Sequence, residues 1–161
     1  MKPILQTQLY GENAMGNGNC VAAAMASVLE IPLWMVPPWE QMFGRDDWQK
    51  RRKEWLAQVF GLEVVTLYGS RRYPGRWTTC YWDDDDGEKP VYVEPGELPE
   101  FYIACGKTVR GSHHAVVYSA GVLVHDPHYS GAGLIDVDRI EFFRALPSAE
   151  LVKAPATAIA A

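Results

Sequence analysis

Cys20 is the residue whose type and position most directly indicate chemistry. It stands where a loop of small and polar residues (13–19) meets an apolar, alanine-rich run that contains no glycine or proline before Pro32. We therefore expect Cys20 in the first turn of a helix over residues 20–30. Free backbone N–H groups and the helix dipole favour an anion there, so we expect a lowered thiol pKa and a good nucleophile. A buried structural cysteine is the competing interpretation.

His114 and Asp126 are a second pair of chemical interest near the other end of the chain. Two apolar runs flank a tight turn near Ala120, the first opening at His114 and the second ending just before Asp126. Positions equally distant from that turn pair across a hairpin, and His114 and Asp126 meet this condition. A carboxylate beside an imidazole fixes its tautomer and stabilises its charged form. With Cys20, the pair predicts a nucleophile with its base and an orienting carboxylate.

Other groups offer alternatives. His113 would replace His114 on the active face if the strand register slipped by one residue. Four side chains of zinc-binding type form another alternative, without tight ligand spacing to support it: Cys20, His114, His125 and His128. Strand alternation should also turn His125 away from Asp126. The four aspartates at 83–86 lack the alternating spacing of a calcium loop and are interpreted as an exposed turn. We therefore expect no metal and no cofactor.

The elements that position these residues follow from the hydrophobic pattern. Residues 1–10 should be extended, and a second helix should begin at Asp46 or Asp47 and end near Phe60, with the basic run at 50–53 on a solvated face. Predicted strands span residues 62–67, 101–105, 114–118, 122–125 and 140–146. The expected fold class is α+β, with an N-terminal central helix packed on an antiparallel sheet. The expected organisation is one domain over 1–147, containing an irregular insert at 69–99, and a flexible tail at 148–161.

Length and composition exclude several function classes. A chain of 161 residues is long enough for one domain with a real core. Its net charge of −5 argues against a nucleic-acid-binding surface, and no run of apolar residues is long enough to span a membrane. The first residues lack the apolar core of a signal peptide. Three cysteines without a CxxC pair fit a reducing compartment, so we expect a cytoplasmic protein.

The order of these residues resembles the papain-like cysteine peptidases, and most closely the peptidase domains that cleave double-glycine leader peptides from bacteriocins. The matching residues are an upstream glutamine, Asn19-Cys20, His114-Ala115-Val116-Val117 and Asp126-Pro127. The chain also resembles small phage and bacterial proteins with a GNC…AxxAS start and an RG…HAVV…HDPH end. This resemblance covers most of the chain except 69–99 and the tail, and it implies a papain-like fold.

The resemblance also implies roles. Cys20 would be the nucleophile, His114 the general base and acid, and Asp126 the residue that orients it. The upstream glutamine would donate to the oxyanion together with the Cys20 backbone N–H. The implied activity is that of a cysteine-dependent amide hydrolase, in the first place a peptidase that acts on a peptide or protein substrate. Alternatives are a deamidase or acyltransferase on the same fold, a catalytically idle phage binding protein, or an amidase acting on cell-wall peptides.

Two features of the chain depart from the pattern of these peptidases. Val21 follows the cysteine where they usually have glycine, and the glutamine lies farther upstream than in the family. The oxyanion donor is therefore left open between Gln6, Gln8 and a side chain of Asn17 or Asn19. Gln6 is slightly preferred because it directly follows an apolar pair of residues.

Overall fold

The protein's computed structural model describes residues 1–11, 18–43, 45–80 and 90–147, with the backbone alone for residues 45 and 46. The helices in these ranges are α1 (Cys20–Leu29), α2 (Trp39–Met42) and α3 (Arg45–Phe60), with short 3-10 turns at Leu33–Met35 and Pro95–Glu97. The strands are β1 (Leu62–Gly69), β2 (Trp77–Thr78), β3 (Tyr92–Val93), β4 (Tyr102–Lys107), β5 (His113–Ser119), β6 (Val122–His125) and β7 (Asp136–Ala145). The expected α+β class is confirmed.

The strands form one antiparallel sheet in the order β3-β2-β1-β7-β4-β5-β6. The strand β7, last in the described chain, lies between β1 and β4 and joins the two parts of the sheet. The tight turn between β5 and β6 has positive φ at Ala120 and Gly121, as the favoured two-residue hairpin turns require. None of the described helices is long and apolar enough to cross a membrane.

The helix α1 is the centre of the main core. Four successive residues of α1, from Ala23 to Ala26, are fully buried, and three of them are alanines, whose small side chains allow close packing around the helix. This helix packs against Ala115 and Val117 of β5. A second cluster lies elsewhere on the sheet and includes Leu67, Tyr102, Ala104, Val116 and Ile140. The strand β5 contributes to both clusters and is therefore fixed on either side.

The helix α3 is attached to the sheet by a buried ion pair. Nη1 of Arg52 lies 2.6 Å from Oε2 of Glu141 in β7, and the two side chains are each 2% exposed. The expectation that the basic run at 50–53 lies on a solvated face is therefore wrong at Arg52. Its guanidinium also lies over the ring of Trp48, with 4.9 Å between its Cζ atom and the ring centroid. The charge pattern of residues 50–53 therefore gave no indication that the side chain of Arg52 is buried.

The predicted insert at 69–99 is more regular than expected. The strand β1 continues through Gly69 and pairs with β2, and β2 pairs with β3. Two-residue strands are too short to produce a readable periodicity, so the sequence pattern did not indicate them. The aspartate run at 83–86 and the predicted tail at 148–161 lie outside the described residues.

The N-terminal segment, defined here as residues 1–8, runs along α1 in the opposite direction to the helix. The backbone N–H groups of Lys2 and Ile4 donate to Ser27 near the end of α1, to its carbonyl and its hydroxyl oxygen respectively, both at 3.0 Å. At the other end, the carbonyl oxygen of Gln8 accepts a bond of 3.1 Å from the backbone N–H of Asn19, just before α1 begins. The segment is therefore attached at both ends of the helix.

Candidate active site

His114 and Asp126 form a buried pair. Nε2 of His114 lies 2.6 Å from Oδ1 of Asp126, and their side chains are 5% and 3% exposed. The same Oδ1 accepts the backbone N–H of His128, and Oδ2 accepts that of Gly133, both at 2.8 Å. Burial alone would raise the pKa of Asp126, but the bonds from His114 and the two backbone N–H groups outweigh burial and lower it. Asp126 is therefore an ionised acceptor at neutral pH.

The ionised carboxylate determines the tautomer of His114. Because Asp126 is only an acceptor, Nε2 of His114 must carry a hydrogen and donate it. In the neutral ring, Nδ1 is then the basic nitrogen. Among the described residues, no hydrogen-bond partner is found for Nδ1. The ring is thus held in the form that can accept a proton at Nδ1.

The hairpin brings His114 and Asp126 together by a different register from the predicted one. Val117 pairs with His125, and the register shifts by a bulge before Tyr118 pairs with Leu123. The strand β6 also ends at His125, so Asp126 lies just beyond the ladder rather than directly opposite His114. The predicted symmetric pairing about the turn is therefore wrong, although the side-chain contact that it implied is present. Two features explain the difference: the turn is centred between Ala120 and Gly121, and a bulge then adds one residue to β6 only.

His113 occupies a different environment from its neighbour. It is exposed, and its Nδ1 lies 3.4 Å from Oδ2 of Asp138. Strand alternation separates the two histidines, and the structure places His114, not His113, beside Asp126.

Cys20 is half-buried and is the first residue of α1, as predicted. The backbone N–H groups of Ala115, Val21 and Cys20 itself favour the charged form of its thiol and act to lower its pKa. Since Ala115 directly follows His114, the start of α1 and the start of β5 meet at this point. No hydrogen bond joins the thiol to the imidazole of His114 within the described part of the chain.

The pKa of Cys20 contradicts the expectation from the helix start. Burial, followed by the negative charge of Glu40 in α2, raises the pKa of the thiol to about 12, although the backbone donors oppose this. The expected lowering is therefore wrong for this arrangement. Burial similarly raises the pKa of Glu40 to about 7, so its carboxyl group titrates near neutral pH. No sequence pattern pointed to Glu40, because its place beside the site depends on how α2 packs.

Gln6 makes hydrogen bonds on two sides, to Pro127 next to Asp126 and to Gln8 near the start of α1. Its backbone N–H donates to the carbonyl oxygen of Pro127 at 2.9 Å, next to Asp126. Its side-chain Nε2 donates to the carbonyl oxygen of Gln8 at 3.2 Å, and its Oε1 is buried with no hydrogen-bond partner among the described residues. The Gln8 residue is exposed, and its backbone makes these contacts. The structure thus places Gln6 close to the end of β6.

The side chain of Asn19 is already occupied. Its Oδ1 accepts the backbone N–H groups of Thr7 and Gln8 at 3.1 and 3.0 Å, and its Nδ2 donates to Oγ1 of Thr7 at 3.0 Å. Both ends of the Asn19 side-chain amide are therefore bonded to residues 7 and 8. Asn17, the other asparagine considered, lies outside the described residues.

The remaining two histidines have distinct partners. The ring of His128 meets that of His114 edge to face, with 6.0 Å between centroids, and its Nδ1 accepts the backbone N–H of Ser130 at 3.0 Å. Burial, and then the positive charges of Arg110 and His114, lower the pKa of His128. The Nε2 atom of His125 lies 2.8 Å from the carbonyl oxygen of Ile4 and so contacts the N-terminal segment.

The described residues contain no group of three or more histidine, cysteine or acidic side chains arranged to hold a metal ion. The four side chains considered for zinc therefore do not form such a group. No protein-family model, curated protein or solved structure matches the chain.

Proposed function

We propose that this protein is a cysteine-dependent amide hydrolase, in the first place a peptidase, with a papain-like arrangement of Cys20, His114 and Asp126. The observation that carries the proposal is the buried pair of His114 and Asp126 at the point where the backbone of β5 meets the thiol of Cys20. A histidine base held by a carboxylate beside a helix-start cysteine is one of the arrangements that carry out nucleophilic amide cleavage.

In the proposed mechanism, Nδ1 of His114 takes the thiol proton while the sulfur of Cys20 attacks the carbonyl carbon of the substrate. The tetrahedral intermediate collapses, the C–N bond breaks, and His114 returns the proton to the leaving amine. Water then attacks the thioester, giving its proton to His114, which passes it to the departing sulfur. Asp126 remains ionised throughout and stabilises the imidazolium.

The oxyanion would be held by the backbone N–H of Cys20 and by the side chain of Gln6. Nε2 of Gln6 carries two hydrogens, and the carbonyl of Gln8 accepts one of them, so the second is available. The attachment of Gln6 beside Pro127 supports this role over that of the exposed Gln8.

The substrate would be an amide: a peptide bond, an isopeptide bond or a glutamine side chain. Deamidation and acyl transfer pass through the same thioester, so the triad does not select among them. A free thiol nucleophile works in a reducing compartment, which supports cytoplasmic action.

The raised thiol pKa favours a second candidate, a catalytically idle phage protein whose cleft binds a partner. A thiol with a pKa of about 12 is protonated at neutral pH and is a weak nucleophile unless a base removes its proton. The two candidates differ in whether His114 activates Cys20.

The first test is the alkylation of Cys20 by iodoacetamide as a function of pH, followed by intact mass. A Cys80→Ser background removes the other half-buried thiol, and the remaining cysteine, Cys105, lies in the core. We expect a reaction with a midpoint well below 12, lost in His114→Ala and retained in His113→Ala, the matched control whose side chain is exposed. Casein incubated with the protein should then yield new peptide N-termini, absent with Cys20→Ala, whereas a deamidase would convert glutamine to glutamate without cleavage.

If Cys20 reacts only when the protein unfolds, or if His114→Ala and His113→Ala behave alike, Cys20 has no base and the hydrolase proposal is wrong. The idle binding protein would then be the better interpretation.

A further inference from the structure

Asn19 departs from what its position predicts. It precedes the first residue of α1, where asparagine commonly caps the helix with its side chain. Its side chain makes no such capping bond. Asn19 therefore leaves the first turn of α1 without a side-chain cap beside the candidate nucleophile.

The side chain of Asn19 holds the N-terminal segment instead. Two backbone N–H groups, from Thr7 and Gln8, donate to Oδ1, and this fixes the orientation of the amide because Nδ2 cannot accept them. With Nδ2 bonded to Oγ1 of Thr7 and the backbone N–H of Asn19 bonded to the carbonyl of Gln8, four hydrogen bonds join Asn19 to residues 7 and 8.

The segment held in this way carries Gln6. Gln6 lies one residue before the Asn19 contacts, and its own backbone N–H is bonded to Pro127, directly after Asp126. The neighbouring Gly18 permits the close approach, because a Cβ atom there would lie 3.1 Å from the carbonyl oxygen of Gln8. The segment thus bridges the residue before Cys20 and the residue after Asp126.

We propose that Asn19 is a positioning residue that holds Gln6 in place as oxyanion donor and at the same time leaves the start of α1 uncapped for the oxyanion. This inference rests on the proposed function, since it assigns Gln6 a role in acyl transfer.

Two reactions of the same thiol separate the proposal from a merely structural role. Attack of the Cys20 sulfur on p-nitrophenyl acetate forms an S–C bond, passes through an oxyanion and releases p-nitrophenolate, while His114 takes the thiol proton. Attack on iodoacetamide forms an S–C bond and releases iodide without an oxyanion. Oxyanion donors therefore affect only the first reaction.

We expect Asn19→Ala to lower the rate of Cys20 acylation by p-nitrophenyl acetate by about tenfold or more, and to leave alkylation by iodoacetamide unchanged. Asn19→Asp should restore acylation, because a carboxylate still accepts the N–H groups of Thr7 and Gln8. In a Gln6→Ala background, Asn19→Ala should have no further effect on acylation. Thr7→Ala is the matched control: it removes one side-chain bond but keeps both backbone bonds to Oδ1.

Gly18→Ala keeps the test decisive if Asn19→Ala does not fold. The added Cβ displaces the same segment without removing Asn19, so it should also lower acylation and spare alkylation. Equal losses in both reactions, or additive effects of Asn19→Ala and Gln6→Ala, would show that Asn19 acts only on structure. Failure of the wild-type thiol to react with either reagent would instead contradict the proposed function itself.

Discussion

Backbone N–H groups favour the charged forms of both the Cys20 thiol and the Asp126 carboxylate, yet the two pKa values move in opposite directions. For Asp126, the bonds from His114 and the backbone outweigh burial and lower its pKa. For Cys20, burial and the charge of Glu40 outweigh the donors and raise its pKa. A thiolate is the weaker hydrogen-bond acceptor, so the same kind of donor compensates less of the cost of burying its charge.

Glu40 should therefore control the reactivity of Cys20. We predict that Glu40→Gln lowers the midpoint pH of Cys20 alkylation on the order of one pH unit, because a nearby negative charge is removed. Glu40 is ionised when the thiol titrates, since its own pKa is about 7. The measurement is the pH profile of alkylation by iodoacetamide, with the surface variant Glu54→Gln as control. An unchanged midpoint would mean that burial alone raises the thiol pKa.

At this scale, the sequence predicted some of the site and not the rest. The contact of His114 with Asp126 and the helix-start position of Cys20 follow from local patterns, and both are present. The roles of Glu40 and the orientation of Asn19 depend on packing between distant segments, for which a single sequence carries no local signal.

Among the strands, the pairing of β4 with β7 beside His114 depends on one glycine. Gly106 pairs with His114 on one side and with Val137 on the other, where the register between β4 and β7 shifts. A Cβ atom at position 106 would overlap the backbone carbonyl of Asp136. The bulge therefore requires a residue without a side chain.

We predict that Gly106→Ala lowers the free energy of unfolding by about 3 kcal/mol, because backbone atoms of β7 must move. Gly69→Ala, at the end of β1, is the control: an added Cβ there meets no heavy atom within 4 Å, so its effect should stay within about 0.5 kcal/mol. Urea denaturation measures both values. Equal stabilities of the two variants would show that β4 and β7 adjust without cost.

Elements with long patterns were the predictable ones. The bounds of α1, the end of α3 at Phe60 and the apolar strands β4 and β5 agree with the sequence prediction within a few residues. The hairpin bulge and the two-residue strands β2 and β3 were missed, because each depends on contacts with a neighbouring strand rather than on its own periodicity.

For the whole molecule, buried carboxyl groups link stability to pH in two directions. The pKa values of Asp126 and Glu141 are lowered: burial opposes the shift, but the bonds from His114, and for Glu141 the charge of Arg52, outweigh it. Their stabilisation is complete above their unfolded values of about 4 and is lost as pH falls. The pKa of Glu40 is raised by burial to about 7, so its contribution is complete below about 4.3 and is lost as pH rises through 7.

We predict that these carboxyl groups give the free energy of unfolding a maximum at about pH 5, with a fall on both sides. Glu40→Gln should remove much of the fall between about pH 5 and 8, because its side chain does not titrate. Urea denaturation across this range is the measurement. A wild-type stability that continues to rise from pH 5 to 8 would contradict the assigned role of Glu40.

The central place of β7 has a consequence for the order of events during synthesis. The strands β1 and β4 share no ladder of their own, and β7 pairs with both. The sheet therefore cannot close until residues 136–145 have left the ribosome, long after α1 and the N-terminal segment have emerged. Until then, the edges of β1 and β4 that later accept β7 remain unpaired. A nascent chain thus carries two separate parts of its sheet, each with an open edge, until its last described strand has been made.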